Sequence, residues 1–287
     1  MRLAVSSYSY MGYLESGKAD YFAICSHAKN TGFEAIEFIP LDLKYGNGHT
    51  DISALAAAIK KHCDTINLEV CAYTVPADFM LGSGGDIDKE VQRLKQHIDV
   101  AALLGAKLLR HDIATRLTPS SRSYRDVIKA CTSRIREVSD YAAQKGIRTC
   151  MENHGYLMQD AQRVEELILA VNHPNFGWLV DMGNFACADQ DSAFAVGIAA
   201  PYAFHVHAKD FLIKSGNCID PGTGWFRSRA GNYLRGTIVG HGSIPVSQCV
   251  AVLKKAGYDG FLSLEFEGME STIPAIEAGY AYLKRFA

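Results

Sequence analysis

Eight short runs rich in apolar residues recur along the chain, at 2–7, 35–39, 68–74, 107–112, 148–153, 177–182, 204–208 and 261–266. Each has the length of a buried strand, and most are separated by a stretch with helical spacing. Over 87–104, Ile87, Val91, Leu94, Ile98 and Ala101 share one face. Over 121–145, Val127, Ala130, Ile135, Val138 and Ala142 do the same. Gly105 and Gly146 stand where a helix stops before the next strand. Repeated strand–helix alternation predicts a parallel sheet. Eight such units in 287 residues predict a closed (β/α)8 barrel, of α/β class, as one domain over 1–287. An open doubly wound sheet would carry a glycine-rich turn after its first strand, and SSYSYMGYL (6–14) is not one.

Composition narrows the partners. Lys and Arg number 29 against 31 Asp and Glu, so no global basic excess exists to hold a phosphate backbone, and no nucleic-acid partner is expected. No run of about 18 apolar residues suggests a membrane span. Residues 1–10 lack the long apolar core of a secretory signal. The eight cysteines include no CxxC pair, and Cys71 and Cys150 lie inside apolar runs. Reduced thiols in a cytoplasmic protein are the reading that follows. The one long irregular stretch, 211–245, is rich in glycine and follows the seventh strand. In a barrel that puts it on the catalytic face.

Barrel enzymes carry reactive groups at the C-terminal ends of strands. Four runs end in ionisable residues: MENHG (151–155), VDMGNF (180–185), HVHAKDF (205–211) and LEFEG (264–268). Strand alternation assigns their faces. Met151, Trp178, Val180, Met182, Phe204, Val206, Ala208, Leu262, Leu264 and Phe266 are expected to meet the helices. Glu152, Asp181, His205, His207, Lys209, Phe261, Ser263, Glu265 and Glu267 then point to the barrel axis. Three carboxylates and an imidazole inside an apolar barrel cannot stay charged without partners. One divalent cation held by Glu152, Asp181, His207 and Glu265 satisfies them, and this donor set suits Mn2+ or Mg2+, with Co2+ or Zn2+ as alternatives. The competing expectation is pairing with Lys209, Arg110 or Arg148 in salt bridges.

These motifs, with GYDGFLSLEFEG (257–268), resemble the xylose isomerase-like superfamily of sugar phosphate isomerases and epimerases over nearly the whole chain. That group includes ketose 3-epimerases, inosose dehydratases, hydroxypyruvate isomerases and an apurinic endonuclease branch. The resemblance implies that Glu152, Asp181, His207 and Glu265 bind one metal. It also implies that Glu152 and Glu265 exchange the proton α to a carbonyl of a sugar or polyol, through a metal-stabilised enediolate. Homodimers or homotetramers are common among such proteins. One departure stands beside the ligands: sugar epimerases of this type carry a His three residues after the metal Asp, where this chain has Asn184. His111 resembles an extra zinc ligand of the endonuclease branch.

The remaining candidates to contact substrate are His154, Asn184, Lys209, Arg235, His111 and Glu37. Each has a plainer alternative. For Lys209 it is a salt bridge to Asp210 or a nearby carboxylate, for Glu37 pairing with a neighbouring Arg, and for Arg235 a solvated loop position. His154 may serve in simple hydrogen bonding, and LLRHD (108–112) may offer Arg110 inward instead of His111. His205 is expected to be a buried hydrogen-bonding group, His241 a loop residue and Glu267 a rim residue. A sugar epimerase or isomerase is the leading expectation. An inosose-type dehydratase, a zinc-dependent endonuclease and a non-catalytic barrel are the alternatives.

Overall fold

A computed structural model describes residues 1–119 and 121–287. The apolar runs pair edge to edge as β1 (Arg2–Ser6), β2 (Ala35–Phe38), β3 (Glu69–Val75), β4 (Leu108–His111), β5 (Arg148–Glu152), β6 (Phe176–Asp181), β7 (Ala203–Ala208) and β11 (Phe261–Leu264). All pairings are parallel, and β11 closes on β1, giving the eight-stranded barrel. The helices around it are α1 (Met11–Glu15), α2 (Tyr21–Thr31), α3 (Ile52–Thr65), α4 (Ile87–Leu104), α5 (Tyr124–Gln144), α6 (Ala161–Val171), α7 (Ser192–Ala199), α8 (Val246–Lys255) and α9 (Thr272–Leu283). None of them is long and apolar enough to cross a membrane.

Local chemistry explains the helix ends. The Asp86 carboxylate accepts from the Lys89 amide at the start of α4, a cap worth about 1 kcal/mol. Ser123 and Asp126 form a reciprocal capping box on α5. Gly105 ends α4 in the left-handed region at φ 75°. The buried faces are those expected from the spacing, except that Ala130 is exposed and Cys131 takes its place on the buried side of α5.

Two apolar layers result. Outward residues such as Met151, Trp178, Val206 and Leu264 join the helices in the large core. A smaller cluster fills the barrel: Ala4, Ala35, Leu108, Cys150, Leu179 and Phe261 belong to it. Cys150, Leu179 and Phe261 precede Glu152, Asp181 and Glu265 on their strands, so this plug is the floor of the site. Phe204 corrects the expected alternation, because it packs inward on that floor. The β6–β7 register passes from Trp178↔Ala203 to Leu179↔His205, leaving Phe204 as a bulge. Gly177 makes room for the ring: a Cβ there would stand 2.6 Å from it.

The stretch 211–245 is more ordered than expected. It forms an antiparallel sheet of β8 (Asp210–Lys214), β9 (Phe226–Arg227) and β10 (Tyr233–Thr237). Asp210 folds its end, accepting from the amides of Gly240, Gly242 and Ile244 at 2.8–3.0 Å. That employment leaves Lys209 free of the Asp210 pairing considered from the sequence.

Candidate active site

Four strand ends converge. One ligand atom from each of Glu152, Asp181, His207 and Glu265 lies within 4.8 Å of all the others, and all four residues are buried. His207 Nδ1 stands 3.5 Å from Glu265 Oε2 and 3.9 Å from both Glu152 Oε1 and Asp181 Oδ2.

Asp181, Glu152 and His207 are held in place by groups around the cluster. Asp181 Oδ1 accepts from the amides of Gly183 and Asn184 in the turn that ends β6. Asn153 locks the same turn: its Oδ1 accepts from Trp178 Nε1 and the Asp181 amide, and its Nδ2 donates to the Asp181 carbonyl. Glu152 Oε2 meets Arg110 Nη2 at 2.7 Å, and its Oε1 accepts from Asn184 Nδ2 at 2.8 Å. Arg110 is in turn clamped by Asp112. Beneath them, Glu37 is fully buried, with one oxygen 2.7 Å from His205 Nε2 and the other 2.8 Å from His207 Nε2. Burial opposes the His207 charge, but Glu37 and Glu265 outweigh it and raise the His207 pKa well above its usual value. With a cation held in place of that proton, the Glu37 carboxylate would keep the remaining proton on Nε2 and turn Nδ1 to the cluster.

Among the described residues His207 Nδ1 is buried without a hydrogen bond, and Asp181 Oδ2 and Glu265 Oε2 are met by Lys209. Lys209 Nζ approaches this convergence, 2.5 Å from Glu265 Oε2 and 3.3 Å from Asp181 Oδ2 and Glu267 Oε2. Burial pushes the Asp181 carboxyl up to about 7, and its neighbours Glu152 and Glu265 add to the effect against Lys209. Burial also opposes the Glu265 charge, but Lys209 and His207 outweigh it and hold that carboxyl well below its usual range. The chain's own positive charge comes from Lys209, from Arg110 on Glu152 and from His207, whose pKa lies well above its usual value. Three carboxylates with one imidazole, converging from four strands with His207 Nδ1 unbonded, fit a divalent cation. Salt bridges form alongside: Arg110 and Lys209 both engage the cluster, while Arg148 stacks on Phe204 instead.

The other candidates separate. A cavity of about 280 Å3 above the cluster is lined by Glu152, Glu265, His154 and Lys209, with Arg110 and Tyr8. His154 is half exposed and pairs with Asp112 at 3.0 Å. Asn184 lies against Glu152. Arg235 lines an adjoining cavity, its guanidinium 5.6 Å from the Trp225 ring centroid. Glu267 stands at the rim and His241 is exposed on its loop. Two candidates need correction. Glu37 does not line the cavity, since it lies under His207 with His205. His111 faces away from the axis, between the rings of Phe79 and Phe176, with Nδ1 against the Asp112 carbonyl. Arg110, the inward neighbour, takes its place. Asp112, Asn153 and Tyr8 were not singled out in the sequence; the inward register of Asp112 with Arg110 was the available signal.

Residues 25–286 match the family described as the xylose isomerase-like TIM barrel. No curated protein matches by sequence. Solved structures give the same fold at low identity. The probable 3-DHS dehydratase AsbF of Bacillus anthracis, involved in petrobactin synthesis, is 17% identical, with a TM-score of 0.77 over 99% of both chains. The D-allulose 3-epimerase of Methylomonas sp. is 18% identical, with a TM-score of 0.75 over 100% of this chain and 98% of that one. The IOLI protein, solved with a bound zinc atom, is 17% identical, with a TM-score of 0.76 over 100% and 99%.

Proposed function

Since the chain belongs to the xylose isomerase-like TIM-barrel family, we propose that it is a metal-dependent epimerase or isomerase of a sugar, sugar phosphate or related polyol. The observation that carries this reading is the pair of glutamates, Glu152 and Glu265, which come from separate strands to one small cavity beside the cluster they form with Asp181 and His207. Glu152, Asp181, His207 Nδ1 and Glu265 would hold the cation, Mn2+ or Mg2+ by their chemistry and Co2+ or Zn2+ as alternatives. When bound, such a cation polarises a carbonyl and stabilises the charge left by deprotonation beside it.

The chain's own groups do the rest. One of the two glutamates takes the proton α to the substrate carbonyl, and the other returns a proton. Return to the opposite face gives epimerisation. Arg110 and Asn184 fix the Glu152 carboxylate, and Lys209, moved aside from Glu265 when a cation is held, would offer a donor to a substrate oxygen. His154 and Tyr8 close the sides of the cavity. Asp181 and His207 act as ligands.

A dehydratase is the second reading, supported by the likeness to the AsbF enzyme. It begins with the same proton abstraction and then expels a β-hydroxyl, so the product separates the two. The endonuclease reading loses its extra ligand, because His111 is turned away from the cluster. Incubating the Mn2+-loaded protein with a panel of ketoses in D2O tests the proposal. Deuterium incorporation at the α-carbon, abolished in Glu152→Gln and Glu265→Gln, supports it. Full exchange in both variants sinks the assignment of the pair.

A further inference from the structure

A second cavity, of about 880 Å3, adjoins the first. Pro76, Asp112 and His154 line both, so the two share a wall. It lies over the ends of β3, β4 and β5. Its polar groups are mostly engaged. Glu90 accepts from the Asp78 amide, the Ser83 hydroxyl and Arg93. Asp78 accepts from the amides of Met80, Leu81 and Thr115. What faces the space unengaged is largely apolar: Pro76, Ala77, Leu81 and the ring of Tyr156.

Tyr156 is unusual in two ways. It is a large aromatic that stays 43% exposed, and its φ of 66° lies in the left-handed region that side chains avoid. Ser83, on another wall of the same cavity, has φ 50°. Strained backbone persists only where its surroundings enforce it, and such residues cluster at ligand sites. Here the enforcement is visible. The Tyr156 amide donates to Gln159 Oε1, its carbonyl accepts from Arg229, and its hydroxyl donates to the Arg227 carbonyl at 2.8 Å. A ring pinned at its hydroxyl end with an open face is a stacking surface.

We propose that this cavity receives an apolar or aromatic ring attached to the sugar, so that the substrate is a ketose or keto-sugar bearing a ring substituent on a carbon other than its carbonyl. The proposal rests on the reading of the smaller cavity as the sugar site. Cavities for drug-sized ligands span roughly 300–1,000 Å3. The smaller cavity, at about 280 Å3, suits one compact polyol, and the larger leaves room for a further ring.

Calorimetric titration of the Mn2+-loaded protein with 1-O-phenyl-D-fructose and 1-O-methyl-D-fructose, which keep the C2 carbonyl, tests it. The phenyl compound is expected to bind about tenfold tighter. Leu81→Asp and Tyr156→Ala are each expected to bring the ratio of the two affinities near one. Equal affinities in the wild type, no binding of either compound, or a preference that survives both substitutions would overturn the proposal. The sugar epimerase reading fails separately, by absence of hydrogen exchange with any ketose, whatever the phenyl compound does.

Discussion

The residue that most repays attention is Glu37. Its burial would be costly alone, yet His205 and His207 both bond to it, and their proximity holds its carboxyl below the usual range despite that burial. Its consequence is the orientation of the His207 ring. Glu37→Gln should lower affinity for Mn2+ by about 10–100-fold while circular dichroism keeps the fold, as measured by titration calorimetry. Unchanged affinity would show that His207 is oriented by packing alone. The sequence put Glu37 at the end of its strand as a pocket residue but did not give its depth, because position along a strand run does not report how far down the barrel a side chain lies. Asn184 was legible as a departure in the motif. Its bond to Glu152 was not, since that needs the turn after β6 to bring it across.

At the scale of elements, all eight barrel strands were legible to within two residues, because each is a short apolar run bounded by a helix stop or a polar end. The antiparallel sheet of β8, β9 and β10 was hidden, since its pairing depends on residues far apart and its exposed faces carry no clean alternation. Phe204 was misassigned for a similar reason: a bulge is set by the partner strand's register. Asn153 ties β5 to β6 through three buried hydrogen bonds. Asn153→Ala should cost about 3 kcal/mol in denaturant unfolding and loosen the Asp181 turn. An unchanged midpoint would remove that role.

β4 carries a pH response. Burial holds the His111 pKa down to about 4, from an ordinary 6.5. The unfolded chain therefore takes up a proton that the folded chain refuses as pH falls from about 6.5 to 4, and stability drops across that window by up to about 3 kcal/mol. His97, lowered to about 4 by burial and by Arg93, acts in the same direction. His111→Gln should flatten the loss of melting temperature between pH 7 and pH 4.5. An equally steep loss would place its origin elsewhere.

The whole molecule is a parallel barrel with an apolar floor and an ionisable upper layer, and the proposed cation would link that layer to overall stability. A ligand that binds only the folded chain stabilises it by about 2.7 kcal/mol at a hundred times its Kd, so Mn2+ should raise Tm by several degrees and a chelator should reverse it. Asp181→Ala should abolish the shift. The same layer decides the central claim, that Glu152, Asp181, His207 and Glu265 are one metal site. Anomalous diffraction from crystals soaked in Mn2+ tests this most directly. The account predicts one strong peak per chain, about 2 Å from a carboxylate oxygen of each acid and from His207 Nδ1, with Lys209 moved aside. A peak elsewhere, or Lys209 still seated among the carboxylates at saturating Mn2+, would contradict it.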